Sequence, residues 1–350
     1  MRRGLILIAL MLASGLAANR TLAVMQTRSG TASLVDTTSP QVHLPGTIFI
    51  SQEGAIYAIA GSKVRRLPLP VCGDWTQPRV LPDGSLLAVR RFDQYSDLYH
   101  LSAAGRVISQ MTSDEQSTAN KNLQLDHWVL WPAVSADGSS VYFATDAPKP
   151  APTKSYEVDF SLWSVPLGAA MTIGDSGVVG GTRWSVPDVY TGGDIEPVPL
   201  PNGDVLYSSY ANNGKGSVLS VLGMQTGPSS PMVSLTSLHQ DCGSPAVAAD
   251  GVTVAMVCTD SGQTASLEIA TLQGRTLSAP RVLVANCLCN SPSWSSSGDG
   301  LLYMNASNPD GNFGLWYIAN AGGVHPGATR RVTDASVDLD ATSAAAWLDR

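Results

Sequence analysis

Ten polar residues stand a few positions ahead of a recurring proline or its counterpart, at six places along this chain: Asp74, Asp126 with His127, Asp194 with Glu196, His239 with Asp241, Asn290, and Asp338 with Asp340. Brought together, carboxylates in such numbers would attract a cation, a metal ion or the basic end of a peptide. His127 and His239 could then act as metal ligands beside the acidic oxygens, the donor set of a metal-dependent lyase or hydrolase. The plainer expectation is that these side chains cap strand ends and bind water.

Other residues suggest less chemistry. There is no Gly-x-Ser-x-Gly elbow to carry a nucleophile, and Asp310-Gly-Asn312 lacks the ligand series of a calcium loop and reads as a hairpin turn. Trp75, Trp128 and Trp184 lie off the strand pattern and are the candidates for an exposed aromatic contact. The five cysteines, at 72, 242, 258, 287 and 289, leave at least one unpaired. Cys242 and Cys258 fall nearly opposite each other if the chain turns at Asp250-Gly251. A bridge from Cys242 to Cys289, which occupies the same slot before its proline, is the rival. Cys287 and Cys289 are too close for a CxxC redox motif, and thiolate metal ligation is open to them.

What would gather the polar residues is a repeat. A proline followed five and six residues later by Asp, Asn or Ser and then Gly occurs at Pro78-Asp83-Gly84, Pro132-Asp137-Gly138, Pro197-Asn202-Gly203, Pro245-Asp250-Gly251 and Pro292-Ser297-Gly298. An apolar run follows each copy, for example Leu86-Leu-Ala-Val89 or Leu301-Leu-Tyr-Met304, and a second comes ten to twenty residues later. Bounded by turns and rich in β-branched and aromatic side chains, these runs read as strands. With the proline strand and a short closing strand, each unit has the four antiparallel strands of a propeller blade.

The prolines are 54, 65, 48 and 47 residues apart, so the third blade carries insertions, expected at Ala147 to Glu157 and Gly168 to Gly193. The ends supply one more blade. Residues after Pro45-Gly46 give three strands without a first, and Ser343-Ala-Ala-Ala-Trp347 gives a first strand with nothing after it. Pairing them closes a ring and removes exposed edges. The expectation is an all-β, six-bladed β-propeller over residues 45–350 whose polar residues ring one mouth of the central channel.

Ser291-Pro-Ser-Trp-Ser-Ser-Ser-Gly298 and Trp131-Pro-Ala-Val-Ser-Ala-Asp-Gly138 resemble the P-x-W-S-P-D-G signature of the TolB-type propeller repeat, as does Leu315-Trp-Tyr-Ile-Ala-Asn-Ala-Gly-Gly323 with Arg331-Val-Thr333. Most copies lack the tryptophan, and the additional N-terminal domain of the translocation protein TolB has no counterpart here. The resemblance implies a periplasmic or surface scaffold that binds proteins or peptides, although some propellers of this class are accessory domains of peptidases.

Composition agrees with short strands and tight turns: 33 Gly, 22 Pro and only 14% charged residues. The net charge of −7 argues against a nucleic-acid partner, which needs a basic stripe. Residues 1–23 have a secretory layout, Arg2-Arg3 followed by an apolar run from Leu5 to Leu16, and read as a signal peptide or membrane anchor; residues 24–44 read as a linker. The functional expectation is an exported, non-catalytic scaffold for a protein or peptide partner, bound at the channel mouth and the third-blade insertions. It has no cofactor beyond a channel-bound cation. The alternatives are the metal-dependent lyase or hydrolase and a structural envelope protein.

Overall fold

Each repeated phrase ends in a glycine with a left-handed backbone, φ +87° at Gly84, +71° at Gly138, +88° at Gly203, +74° at Gly251 and +76° at Gly298. Side chains are strained in that region and glycine is not. The turn therefore forms wherever the phrase occurs, and the apolar run after it folds back as the second strand of a hairpin. The computed structural model describes residues 42, 44–113, 126–149, 158–169, 171–174, 176–259 and 264–349, and among them there is no helix.

Among the described residues the main strands form four separate four-stranded antiparallel sheets and one longer sheet, whose shared strand divides it into two further four-stranded units. The first joins Thr47–Gln52, Ala55–Ala60 and Lys63–Arg66 to the C-terminal Ala346–Leu348. The second runs Asp74–Val80, Leu86–Arg91, Ser96–Leu101 and Val107–Gln110, and the third Val129–Val134, Ser140–Thr145, Ser161–Pro166 and Thr182–Arg183. The fourth comprises Asp194–Pro199, Val205–Asn212, Val218–Gln225 and Val233–Ser234. The long strand Arg281–Trp294 closes the fifth unit, after Cys242–Val247, Thr253–Cys258 and Ala265–Gln273, and opens the sixth, before Gly300–Ala306, Phe313–Ala319 and Arg330–Arg331. The leading strands touch one another in succession, and Ala346–Leu348 returns to touch Asp74–Val80, which closes the ring.

The hydrophobic core is divided between neighbouring units. Leu302, Met304 and Leu315 of the sixth pack on Ile48, Ile50 and Trp347 of the first; Phe49 and Ile56 pack on Trp75 and Leu86 of the second. Val42 and Leu44 also pack into the first of these clusters. Ring closure follows the sequence expectation, though the pairing strand starts at Ala346: Thr47 faces Leu348, Ile48 faces Trp347, and the Trp347 indole donates to the Pro45 carbonyl at 2.9 Å.

Cys242 lies directly across from Cys258 in the hairpin register and is bonded to it, which sets aside the rival bridge to Cys289. Cys287 is joined to Cys289, and Cys72 is free and exposed. Trp75 and Trp184, expected as exposed contacts, are instead 1% and 6% exposed. Trp75 lies edge-on to Tyr99 at 5.0 Å and donates to the Pro70 carbonyl; Trp128 is half-buried. The expected signal at 1–23 and most of the loop from Ala147 to Glu157 lie outside the described residues. The second insertion contains a hairpin, Thr172–Gly174 with Gly177–Val179, whose Ile173 and Val178 pack beside Trp163.

Candidate functional site

The proline of the repeat sits inside the leading strand of the second to sixth units. Proline has no N–H to give to a ladder, and the register slips there in every leading strand of the second to sixth units, between Thr76 and Arg79, Leu130 and Ala133, Ile195 and Val198, Gly243 and Ala246, and Asn290 and Ser293. The residue before the proline takes up the bulge with a left-handed backbone: φ is +50° at Gln77 and Trp131, +56° at Glu196, +51° at Ser244 and +49° at Ser291. A non-glycine residue held there costs roughly 1–3 kcal/mol, so the surroundings must hold it.

They do so through hydrogen bonds that run from one unit to the next. Gln77 N donates to Ser343 Oγ at 2.8 Å, and Trp131 N donates to Gln77 Oε1 at 2.6 Å. Ser244 N donates to Glu196 Oε2 at 3.0 Å, Ser244 Oγ to Asn290 Oδ1 at 2.7 Å, and Ser291 Oγ to the Ala341 carbonyl at 2.7 Å. Trp131, Glu196, Ser244 and Ser291 line, with Arg79, a small space of about 30 Å³. That is room for a water molecule or two. Burial pushes the Glu196 carboxyl up, against the hydroxyls of Ser208 and Ser244 and the charge of Arg79; burial pushes the Arg79 guanidinium down, against the charge of Glu196.

The residues expected at the channel mouth do not converge on one point. Glu196 and Asn290 meet through Ser244. Asp340 holds the closing segment, accepting from Thr76 Oγ1 at 2.5 Å and from Thr342. Asp241 accepts from Ser220 N at 2.7 Å, and Asp338 accepts from Phe313 N at 3.0 Å. Asp74 is exposed and lies 3.7 Å from Arg91; His239 is exposed. Asp126 and His127 are buried. His127 Nδ1 is 3.2 Å from Asp146, which also pairs with Lys149 at 2.9 Å, and Lys149 donates to the Asp126 carbonyl. Among the described residues no three of His, Cys, Asp or Glu are grouped to hold a metal ion. The sequence reading passed over Gln77, Arg79, Ser244 and Ser291. For Gln77, Ser244 and Ser291 the signal was the position immediately before each proline, together with the strand's disfavour of a proline inside it; Arg79, one residue after its proline, carried no such signal.

Asp194 faces elsewhere. The core cluster between the third and fourth units, built on Tyr142, Leu162, Trp184 and Tyr207, is the smallest of the six among the described residues. Beside it opens a pocket of about 320 Å³. Its buried polar lining is Asp194, Ser185, Ser209 and Gln225, and its outer wall is Val186, Pro187, Pro231 and Met232. The Trp184 indole is fixed by a 2.9 Å bond to Ser164 Oγ. Gly223 leaves the space that Tyr207 and Met232 fill: a Cβ there would lie 2.7 Å from Met232 Sδ and 3.0 Å from the Tyr207 ring. Burial raises the Asp194 carboxyl; the hydroxyls of Ser209 and Ser185 oppose the shift, Asp188 adds to it and Arg183 reduces it.

The outer lip of this pocket belongs to the second insertion. Val186, Val189 and Tyr190 are 77%, 69% and 67% exposed. Asp159 holds this lip in shape, its carboxylate accepting from the backbone N–H groups of Tyr190, Thr191 and Gly192 at 2.7, 2.9 and 2.8 Å.

No family model matches the chain, and no curated protein matches it in sequence. Its fold is similar to that of TolB from Acinetobacter baumannii, with a TM-score of 0.58 and 15% identity over 86% of this chain and 66% of that one. A TolB candidate from Agrobacterium tumefaciens gives a TM-score of 0.56 at 14% identity, over 86% of this chain and 93% of that one. A protein of unknown function from Bacteroides caccae gives 0.56 at 13%, over 88% and 100%. At these identities the likeness is one of fold, a TolB-like propeller of four-stranded antiparallel sheets.

Proposed function

We propose that this chain is an exported binding propeller of the TolB-type repeat class, whose working surface is the pocket and lip between the third and fourth blades, where it takes a peptide segment of a protein partner. The observation that carries the reading is the coincidence of the 320 Å³ pocket with the exposed apolar lip of the insertion. Pockets from about 300 Å³ upward, apolar with a few convergent polar groups, are the usual form of a ligand site, and apolar side chains clustered beside one mark a contact surface. The small space beside Arg79, Glu196 and Ser244, at about 30 Å³, is a tenth the size of this pocket, which favours the insertion over the girdle as the working surface. Export by residues 1–23 agrees with two disulfides, which persist in oxidising compartments.

Selection from a random peptide display library tests the proposal. Enriched peptides are expected to lose at least tenfold in affinity with Val186→Asp or Tyr190→Asp and to be unaffected by Ile108→Asp, on the exposed outer strand of the second blade. Binders indifferent to both lip substitutions would sink the assignment.

A further inference from the structure

The walls and the floor of this pocket ask for different chemistry. Val186, Pro187, Pro231 and Met232 form an apolar entrance, while the inner lining ends in acceptors. Asp194 is 3% exposed, and no cation lies within ion-pair distance of it among the described residues. Arg183, the nearest positive influence on it, is turned to the Ser185 carbonyl at 2.9 Å. Gln225 is 4% exposed, and its orientation is set by its Nε2, which donates to the carbonyls of Trp184 and Ser230 at 2.9 and 2.6 Å. Flipping the amide would set oxygen against oxygen, so Oε1 is an acceptor, and it has no hydrogen-bond partner. A buried acceptor left unmade costs about 1–3 kcal/mol, and a buried carboxylate without a counter-charge costs more. A ligand that brings donors and positive charge would relieve both.

We propose that the pocket receives a lysine side chain of the partner, its alkyl stem along the Val186–Pro187 and Met232 walls and its ammonium against Asp194 and Gln225. Lysine suits the site because its stem is apolar and its head is a compact charge with three donors. Arginine suits it less: the hydroxyls of Ser185 and Ser209 already engage the Asp194 carboxylate, leaving less of it for a planar bidentate fork. Asp188, exposed at the rim, adds a second negative charge on the entry path. This inference rests on the pocket as the working surface and narrows what enters it.

The experiment uses the full chain and four probes: the N-methylamides of Nα-acetyl-lysine, Nα-acetyl-norleucine, Nα-acetyl-arginine and free-amine norleucine. Binding is followed at the Trp184 indole N–H resonance, assigned with Trp184→Phe. The lysine probe is expected to bind at least tenfold more tightly than acetyl-norleucine, and Asp194→Asn to remove that preference while leaving acetyl-norleucine unchanged. Equal binding of the lysine and acetyl-norleucine probes, tighter binding of the arginine or free-amine probe, or no response to any probe overturns the proposal. If Asp194→Asn does not fold, the wild-type comparison decides alone. A partner peptide that binds at the lip without a lysine would defeat this inference and leave the proposed function standing; a lysine preference with no peptide ever selected at the lip would do the reverse.

Discussion

Glu196 and Ser244, each the residue before its blade's proline, are joined across two blades: Glu196 Oε2 accepts from Ser244 N at 3.0 Å, and its Oε1 lies 3.1 Å from Ser244 Oγ, whose proton goes to Asn290 Oδ1 at 2.7 Å. Ser208 Oγ donates to the same carboxylate at 2.8 Å. The bulges are therefore held by neighbours and not by their own strands. Glu196→Ala leaves the Ser208 hydroxyl without its acceptor, while Ser244 keeps Ser208 Oγ for its N–H and Asn290 Oδ1 for its O–H, and should destabilise the fold by about 1–3 kcal/mol, the cost of one buried group left unpaired. Glu196→Gln, which keeps one acceptor, should cost less than half as much. Urea unfolding of the two variants measures the difference.

The same carboxyl, with Asp194, sets a pH dependence. Both are raised by burial above ordinary values of 4.5 and 3.8. A carboxyl raised in the folded state binds its proton more tightly there than in the unfolded chain. Its stabilising contribution is complete below the unfolded pKa and is lost as pH rises through the folded one. Lowering pH from neutrality into the window just above 4.5 should therefore raise the contribution of these two groups. Thermal unfolding of Glu196→Gln/Asp194→Asn across that window should show a flatter profile than wild type; a steeper one would contradict the assignment.

Ring closure rests on Trp347, which packs in the cluster between the sixth and first blades and donates to Pro45. Trp347→Ala should cost about 3–5 kcal/mol, as large aromatic truncations in cores do. Gly46→Ala should also destabilise, because φ there is +73° and an added Cβ would run into the carbonyl of Leu348. Denaturant titrations would show whether closure has this weight.

The two disulfides should differ in effect. Cys242–Cys258 closes a loop with a sequence separation of 16, and replacing both cysteines with alanine should cost about 3 kcal/mol on the chain-entropy account. Cys287–Cys289, with a separation of 2, constrains little of the unfolded chain, and its double alanine variant should lose far less. Guanidinium midpoints of the two variants check the contrast.

Asp159 organises the lip. Asp159→Ala removes the acceptor of three backbone donors and should loosen residues 190–192 by roughly 1.5 kcal/mol, the lower end for hydrogen bonds to a charged group. Limited chymotrypsin digestion should then cut at Tyr190 faster than in wild type, with global stability little changed, and Asp159→Asn should lie between.

The sequence by itself determined the units. The Asp-Gly and Asn-Gly turns need a left-handed glycine, the runs after them alternate as strands, and a headless first unit with an orphan Trp347 requires the two ends to pair; all of these are local signals repeated often enough to be read. The Cys242–Cys258 bridge was within reach because hairpin register follows from the turn. Tertiary structure decided what the polar residues do. A slip of one residue reverses the face a side chain presents, and the bulge at each proline makes that slip, so residues counted as one ring divide among a cross-blade girdle at Glu196 and Asn290, a buried pair at His127 and Asp146, exposed Asp74 and His239, and a pocket at Asp194. Trp75 and Trp184 lie off the strand pattern, yet both are buried, because burial depends on which blade stands beside them and no spacing along the chain contains that neighbour.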